Sequence, residues 1–364
     1  MTTPAILLGL AIGDALGMPF EKHRQSSPYL LGWNGEYWDC DPSHKWNHNL
    51  RSGQFTDDTQ MSWVLAEWVL NNPGFWIPNS SGVYSNPPWE TLAGQYLEWF
   101  EGNSFVGPCR GMGGATRSAL KEFSKTKQLS PVNSLGTGPI MRCSALAHLL
   151  HVNSPKENVR ILSEESKITH VGGEEENILQ LVGVYLEMLT RVLYGSGKSE
   201  ICKMFPGKIQ SGGAMQMIRP ALESAVFCFE HTDSFGAAVQ MAIRLGGDTD
   251  TVGSITGALA GGYYGIEGIP EKYLSGLERM EDLWDTNFRL NALVKYLLLG
   301  ITRILFSIFR RLTLYFLLRF HGNLSMETEE NLFCNSFCSF AGFPVLVRGL
   351  SWFTVPLVKH SSAC

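Results

Sequence analysis

Two short runs carry residue types that can do chemistry. In Phe55-Thr56-Asp57-Asp58-Thr59, a hydroxyl and two adjacent carboxylates precede Met61, Val64, Leu65, Trp68 and Val69, an apolar stripe at helical spacing. In Leu245-Gly-Gly-Asp248-Thr-Asp250-Thr251, a glycine turn brings two more carboxylates and a hydroxyl to a second stripe, Val252, Ile255, Leu259 and Tyr263. Each helix start offers unpaired N–H groups that favour anions. If the two starts meet in space, four carboxylates share one small volume, and like charges ~4 Å apart repel by about 4 kcal/mol at an effective dielectric of roughly 20. A cation relieves that repulsion. The donors are hard oxygens with no paired Cys or His, so Mg²⁺ or Mn²⁺ suits them, as one ion or two. Taken singly, Asp and Thr at a helix start are also ordinary caps, and spacing alone leaves both readings open.

The segments around these runs read as helices. Residues 5 to 17 set Ile6, Leu7, Leu10 and Leu16 among Gly9, Ala11, Gly13, Ala15 and Gly17, a small-residue helix that lets neighbouring backbones come close. This start imitates the apolar part of a secretion signal, but no Lys or Arg precedes it and it runs into Asp14, so a buried helix is expected. Pro19 should end it. Glu21 follows on a stretch restrained by Gly17 and Pro19, where it is either a rigidly held pocket residue or an exposed loop glutamate. Residues 32 to 50 have no period and read as a loop; its His44 and His48 are expected to be solvated.

Further glycine runs invite phosphate readings. Gly111-Met-Gly-Gly-Ala-Thr116 lacks the last glycine of a dinucleotide fingerprint and no strand precedes it; Gly195-Ser-Gly-Lys-Ser199 has Val192 where a P-loop needs its first glycine. Neither is expected to bind a nucleotide in those modes. Gly136-Thr137-Gly138-Pro-Ile-Met141-Arg142 opens a helix carrying Leu146, Leu149 and Leu150, and its N–H groups suit a phosphate, a carboxylate or an ordinary turn. His170 stands at a junction: Ser166-Lys-Ile-Thr-His170 ends one helix, and Gly172-Gly173 opens the next, whose buried face is Ile178, Leu181, Val182 and Tyr185. Residues 218 to 245 read as two more helices with Thr232-Asp-Ser234 as the cap between them. Roughly ten helices and no convincing alternating strand make the class all-α.

Composition agrees. The 364 residues are 44% hydrophobic, ample for a core, and the net charge of −5 is scattered, with no basic stripe in the first 290 residues. That argues against nucleic acid as a partner. The eight cysteines, at 40, 109, 143, 202, 228, 334, 338 and 364, form no CxxC pair, which fits a reducing, cytoplasmic setting. A monomer is expected.

The chain resembles the ADP-ribosylglycohydrolase family. The resemblance is carried by Gly13-Asp-Ala-Leu-Gly17 with Glu21, Phe55-Thr-Asp-Asp-Thr-Gln60, Gly136-Thr-Gly-Pro-Ile-Met-Arg142, Thr169-His170 and Leu245-Gly-Gly-Asp-Thr-Asp-Thr251, and it continues through Gly257-Ala-Leu-Ala-Gly-Gly-Tyr-Tyr-Gly265 and Gly268-Ile-Pro270. It implies a compact all-α single domain over residues 1–290, with a binuclear Mg²⁺ or Mn²⁺ centre that removes ADP-ribose from a protein side chain or related small conjugate. It further implies that Thr56, Asp57, Asp58, Asp248, Asp250 and Thr251 are ligands. Glu21, with Asp57 and Asp58, is implied in catalysis near the scissile bond, and Gly136, Thr137, Gly138, Met141 and His170 in contact with ADP-ribose. Two other classes fit less well: a crystallin-like structural or ADP-ribose-binding protein of the same fold, and a two-metal phosphohydrolase.

Residues 291–364 depart from the family as an extension. Leu293 to Phe320 is apolar but interrupted by Lys295, Arg303, Arg310, Arg311 and Arg319, a poor membrane span. Lys295, Arg303 and Arg310 fall on one side, as on an interfacial helix at an anionic membrane. A helix packed onto the domain, or a poorly folded carboxyl end, is the preferred expectation.

Overall fold

The computed structural model describes residues 2–41, 49–76, 85–150, 155–172, 177–209 and 216–293. The chain divides into two units, Met1–Gly300 and Ile301–Cys364, and all described residues belong to the first. His44, His48 and the 294–364 stretch lie outside them.

The helix Thr249–Tyr264 is the hub. Its residues from Thr249 to Gly262 are all buried, and the helices Ile6–Gly17, Ile178–Leu193, Ile218–Glu230 and Phe235–Arg244 pack around it. Ile6–Gly17 is buried along its whole length and has no polar stripe, as a helix surrounded on all sides must be. One hydrophobic cluster takes in all these helices together with Asp57–Asn71 and Trp89–Phe100. Each large apolar side chain buried there contributes about 1.5–3 kcal/mol over an exposed one.

Glycine sets the spacing at the centre. A Cβ on Gly9 would lie 2.1 Å from the Gly257 carbonyl oxygen, and one on Gly13 would lie 2.0 Å from that of Gly253. The two backbones therefore touch directly, as the small-residue pattern predicts. Helix ends are closed from other parts of the chain. Ala5 cannot cap Ile6–Gly17, so Asn287, from the 280–293 helix, accepts from the Leu7 N–H at 3.1 Å and donates to the Pro4 carbonyl at 3.0 Å.

The fold is all-α, as expected, with a small difference. Val132–Asn133 and His170–Val171 form a parallel two-residue pair, too short for any alternation to announce it. The helix expected after Gly136 is also broken into Gly138–Arg142, a 3₁₀ turn Cys143–Leu146 and Ala147–Leu150. The Arg142 guanidinium folds back to donate to the Gly138 carbonyl at 3.1 Å. Ser234 caps Phe235–Arg244 by accepting from the Ala237 N–H, as its position suggests. Among the described residues no helix is long and apolar enough to cross a membrane, and Cys40, Cys109, Cys143, Cys202 and Cys228 are free thiols.

Candidate active site

The side chain at the N-cap of neither acidic helix does the capping. Thr56 and Asp248 hold the N-cap positions of Asp57–Asn71 and Thr249–Tyr264, yet neither side chain bonds to an N–H of its own first turn. The first motif is capped by Asp14, from the middle of Ile6–Gly17. Its Oδ1 accepts from the Thr56 hydroxyl at 2.7 Å, its Oδ2 from the Thr59 hydroxyl at 2.6 Å and the Thr59 N–H at 3.0 Å, and the Thr56 N–H lies 3.0–3.1 Å from both oxygens. These donors hold a fully buried carboxylate whose pKa burial still raises. Asp57 and Asp58 are thus free to point elsewhere.

The same helix fixes the second motif. The Thr249 hydroxyl donates to the Gly17 carbonyl at 2.7 Å, and a Cβ on Gly17 would sit 2.3 Å from the Thr249 carbonyl oxygen. One buried helix therefore sets both acidic runs, which are nearly two hundred residues apart in sequence.

Glu21 reaches the second motif through a backbone clip. The Lys22 N–H donates to the Gly247 carbonyl at 2.6 Å, the Gly247 N–H donates to the His23 carbonyl at 2.8 Å, and Arg24 pairs with Gly246. Gly246 and Gly247 take φ of 70° and 81°, and a Cβ on Gly246 would lie 2.7 Å from the His23 oxygen. As a result Glu21, Asp248 and Asp250 each offer one carboxylate oxygen, and all three lie within 4.8 Å of one another. Lys22 Nζ lies 3.1 Å from Glu21 Oε1.

The electrostatics tie all the acids together. Burial pushes the Asp248 carboxyl up to about 7, and Glu21 adds to it, while Asp250, Lys22 and Thr251 pull the other way. Asp250 is raised well above the carboxylate range by burial, then by Glu21, Asp248 and Asp58. Burial and the charge of Asp14 do the same to Asp57 and Asp58, and both also feel Asp248. Asp58 Oδ1 is buried with no hydrogen-bond partner. Thr56 and Thr251 are buried beside them. Buried oxygens that repel one another, one of them orphaned, are the donor set a hard divalent cation fits.

The Gly136 to Met141 turn joins the same scaffold. The Ser62 hydroxyl, one turn beyond Asp58, donates to the Met141 carbonyl at 3.1 Å, and the Met141 side chain is buried in the core. The Ile140 and Met141 N–H groups close on the Thr137 carbonyl. His170 lies against the turn. A Cβ on Gly138 would meet its Cε1 at 2.6 Å, and one on Gly136 would lie 3.5 Å from its Nε2. Burial, with Arg142 second, lowers the His170 pKa to about 3, so the ring is neutral; its Nδ1 pairs with the Thr169 hydroxyl at 2.8 Å. On the other flank Gly136 pairs with Met217, and the Ile218 N–H donates to the Leu135 carbonyl.

Sequence reasoning missed Asp14 and Lys22. The signal for Asp14 was an aspartate in the middle of an otherwise apolar helix, which must find donors when buried.

A family model described as ADP-ribosylglycohydrolase matches residues 4–204 and 178–300. ADP-ribosylarginine hydrolase Tri1 of Pseudomonas putida is 27% identical over 295 residues, covering 74% of this chain and 72% of that protein. ADP-ribosyl-[dinitrogen reductase] glycohydrolase of Rhodospirillum rubrum is 25% identical over 305 residues, covering 76% of this chain and 93% of that protein. Among solved structures, one described as an ADP-ribosylglycohydrolase-related protein complex aligns with a TM-score of 0.65 and 25% identity, over 80% of this chain and 96% of that one. With matches that together run from residue 4 to residue 300, the chain belongs to the ADP-ribosylglycohydrolase family.

Proposed function

We propose that the protein hydrolyses the glycosidic bond between ADP-ribose and a protein side chain or related small acceptor. The carboxylates of Glu21, Asp248 and Asp250, gathered within 4.8 Å, are the observation that carries this reading. The names of the relatives, an ADP-ribosylarginine hydrolase and an ADP-ribosyl-[dinitrogen reductase] glycohydrolase, support it. Thr56, Asp57, Asp58, Asp248, Asp250 and Thr251 would hold Mg²⁺ or Mn²⁺, with room in the donor set for two ions. Bound there, the metal supplies charge neutralisation and a fixed point for ribose hydroxyls and water.

The chain's own residues do the rest. The bond from the anomeric carbon to the acceptor breaks with its electron pair leaving on the acceptor, which takes a proton; water then adds to that carbon and gives one up. Glu21 sits beside the acidic cluster and carries these protons. The turn from Gly136 to Met141 and the neutral His170 seat the ADP-ribose, holding the reacting carbon in register with Glu21. The domain assigned this activity is residues 1–290, with 291–364 as an extension to it.

The test is release of free ADP-ribose from arginine-linked, serine-linked and O-acetyl substrates, with and without EDTA. Metal-dependent release of ADP-ribose supports the proposal. Release of phosphate alone would make the protein a phosphohydrolase, and binding without turnover would make it a crystallin-like relative. Glu21→Gln is expected to cut kcat by about 10²-fold or more; a loss of less than a few-fold removes its role.

A further inference from the structure

The glycine run at Gly111 has no place in the reading above, and its surroundings give it one. Gly111 takes φ of 75°, and a Cβ there would fall 2.8 Å from Asp57 Oδ1 and 3.2 Å from the Thr56 Cβ, so the loop backbone lies directly on the first acidic motif. Gln60, one turn along the same helix, fastens the loop: its Nε2 donates to the Val106 and Pro108 carbonyls, and its Oε1 accepts from the Arg110 N–H and the Trp99 indole. Arg110 then closes the arrangement. Its Nη1 donates to the Phe55 carbonyl at 3.1 Å and lies 2.6 Å from Glu278 Oε2, while its Nη2 meets Glu278 Oε1 at 3.2 Å. Glu278 is itself placed by its N–H on the Gly53 carbonyl and by Gln54 Nε2 on its Oε1. The peptide entering Thr56 is therefore gripped by a bidentate arginine–carboxylate pair, whose fork geometry fixes direction as well as distance.

We propose that Arg110, anchored by Glu278, is a positioning residue for the Thr56–Asp58 motif, setting the orientation in which that motif receives a divalent cation. This rests on the metal-centre reading above. Arg110 touches no carboxylate of the cluster; it acts through the Phe55 carbonyl and through the loop that Gly111 lays over Asp57. Partners of this outer kind change metal affinity by about 10–100-fold when removed. Arg serves this position better than Lys, because one ammonium cannot serve the Phe55 carbonyl and both carboxylate oxygens in a fixed plane.

The experiment is calorimetric titration of the full chain with Mn²⁺ alone, beside melting curves taken in EDTA. Arg110→Gln is expected to raise the Mn²⁺ Kd about 10-fold or more while the EDTA melting temperature falls by only a few degrees. Arg110→Lys should recover part of the affinity, and Glu278→Gln should weaken binding in the same direction by less. The double variant should bind no worse than Arg110→Gln, since both act through one link. If Arg110→Gln melts far below wild type, Glu278→Gln carries the test. Mn²⁺ affinity within twofold of wild type in these variants overturns the proposal and leaves the metal centre standing. Absence of Mn²⁺ binding by the wild-type chain overturns the metal centre itself, and this proposal with it.

Discussion

Arg142 and Glu165 lie as deep in the molecule as Asp58, yet the two places treat charge in opposite ways. Arg142 Nε meets Glu165 Oε1 at 2.6 Å, its remaining nitrogens reach the Gly138 and Glu165 carbonyls, and its guanidinium lies 5.4 Å from the Tyr96 ring centre. That cluster brings its own counter-charge. In the acidic cluster burial, and then the charge of neighbouring acids, raises the pKa of Asp57, Asp58, Asp248 and Asp250 instead, and Lys22 pairs with Glu21 at the edge. A charge kept for structure is compensated within the chain. On the metal-centre reading proposed above, the acidic cluster is compensated by a cation instead.

The sharpest way to break that contrast is to remove one charge from each place. Asp250→Asn or Asp57→Asn keeps the volume and deletes a repelling charge. Turnover should fall by about 10³-fold, while the EDTA melting temperature stays level or rises, because the variant relieves like-charge repulsion. A clear drop in that melting temperature would mean these carboxylates are structural after all.

The second effect is on stability, and its sign is reversed. Arg142→Met strands Glu165 in the core and should cost about 3–5 kcal/mol in urea unfolding. Adding Glu165→Leu should restore most of it, because the stranded charge, rather than the missing contact, is what destabilises. Failure of the double variant to recover would show that the pair itself stabilises the turn it touches, which carries Gly138.

How much of this contrast could be read from the sequence differs between its two halves. The acids announce themselves because their helix starts are local: Thr56-Asp57-Asp58 and Asp248-Thr-Asp250 stand beside their own apolar stripes, and the glycines of residues 5 to 17 show that a backbone must come close. What holds them does not announce itself. Asp14 caps a helix 42 residues away, Arg110 pairs with Glu278 across 168 positions, and Arg142 finds Glu165 from another helix. Such partners obey no period, so a pattern search passes over them. Met141 illustrates the same limit. Its motif places it on the turn, but only packing shows that its side chain enters the core.

His148 shows a third way to bury an ionisable group, by keeping it uncharged. It is fully buried, with Nε2 3.2 Å from Asn291 Oδ1, and burial lowers its pKa from 6.5 to about 4. The unfolded chain therefore binds this proton more readily than the folded one between those values. The stability it contributes is complete above pH 6.5 and is lost as the pH falls to about 4, a change on the order of 3 kcal/mol. The buried acids have raised folded pKa values and respond in the opposite sense, so the total curve mixes the two. Subtraction separates them. The unfolding free energy of wild type minus that of His148→Gln, measured in urea in EDTA buffers, should shrink by about that amount between pH 6.5 and 4. A difference that stays flat across the interval would place a proton on His148 in the folded protein, and neutrality would cease to be the means by which this ring is buried.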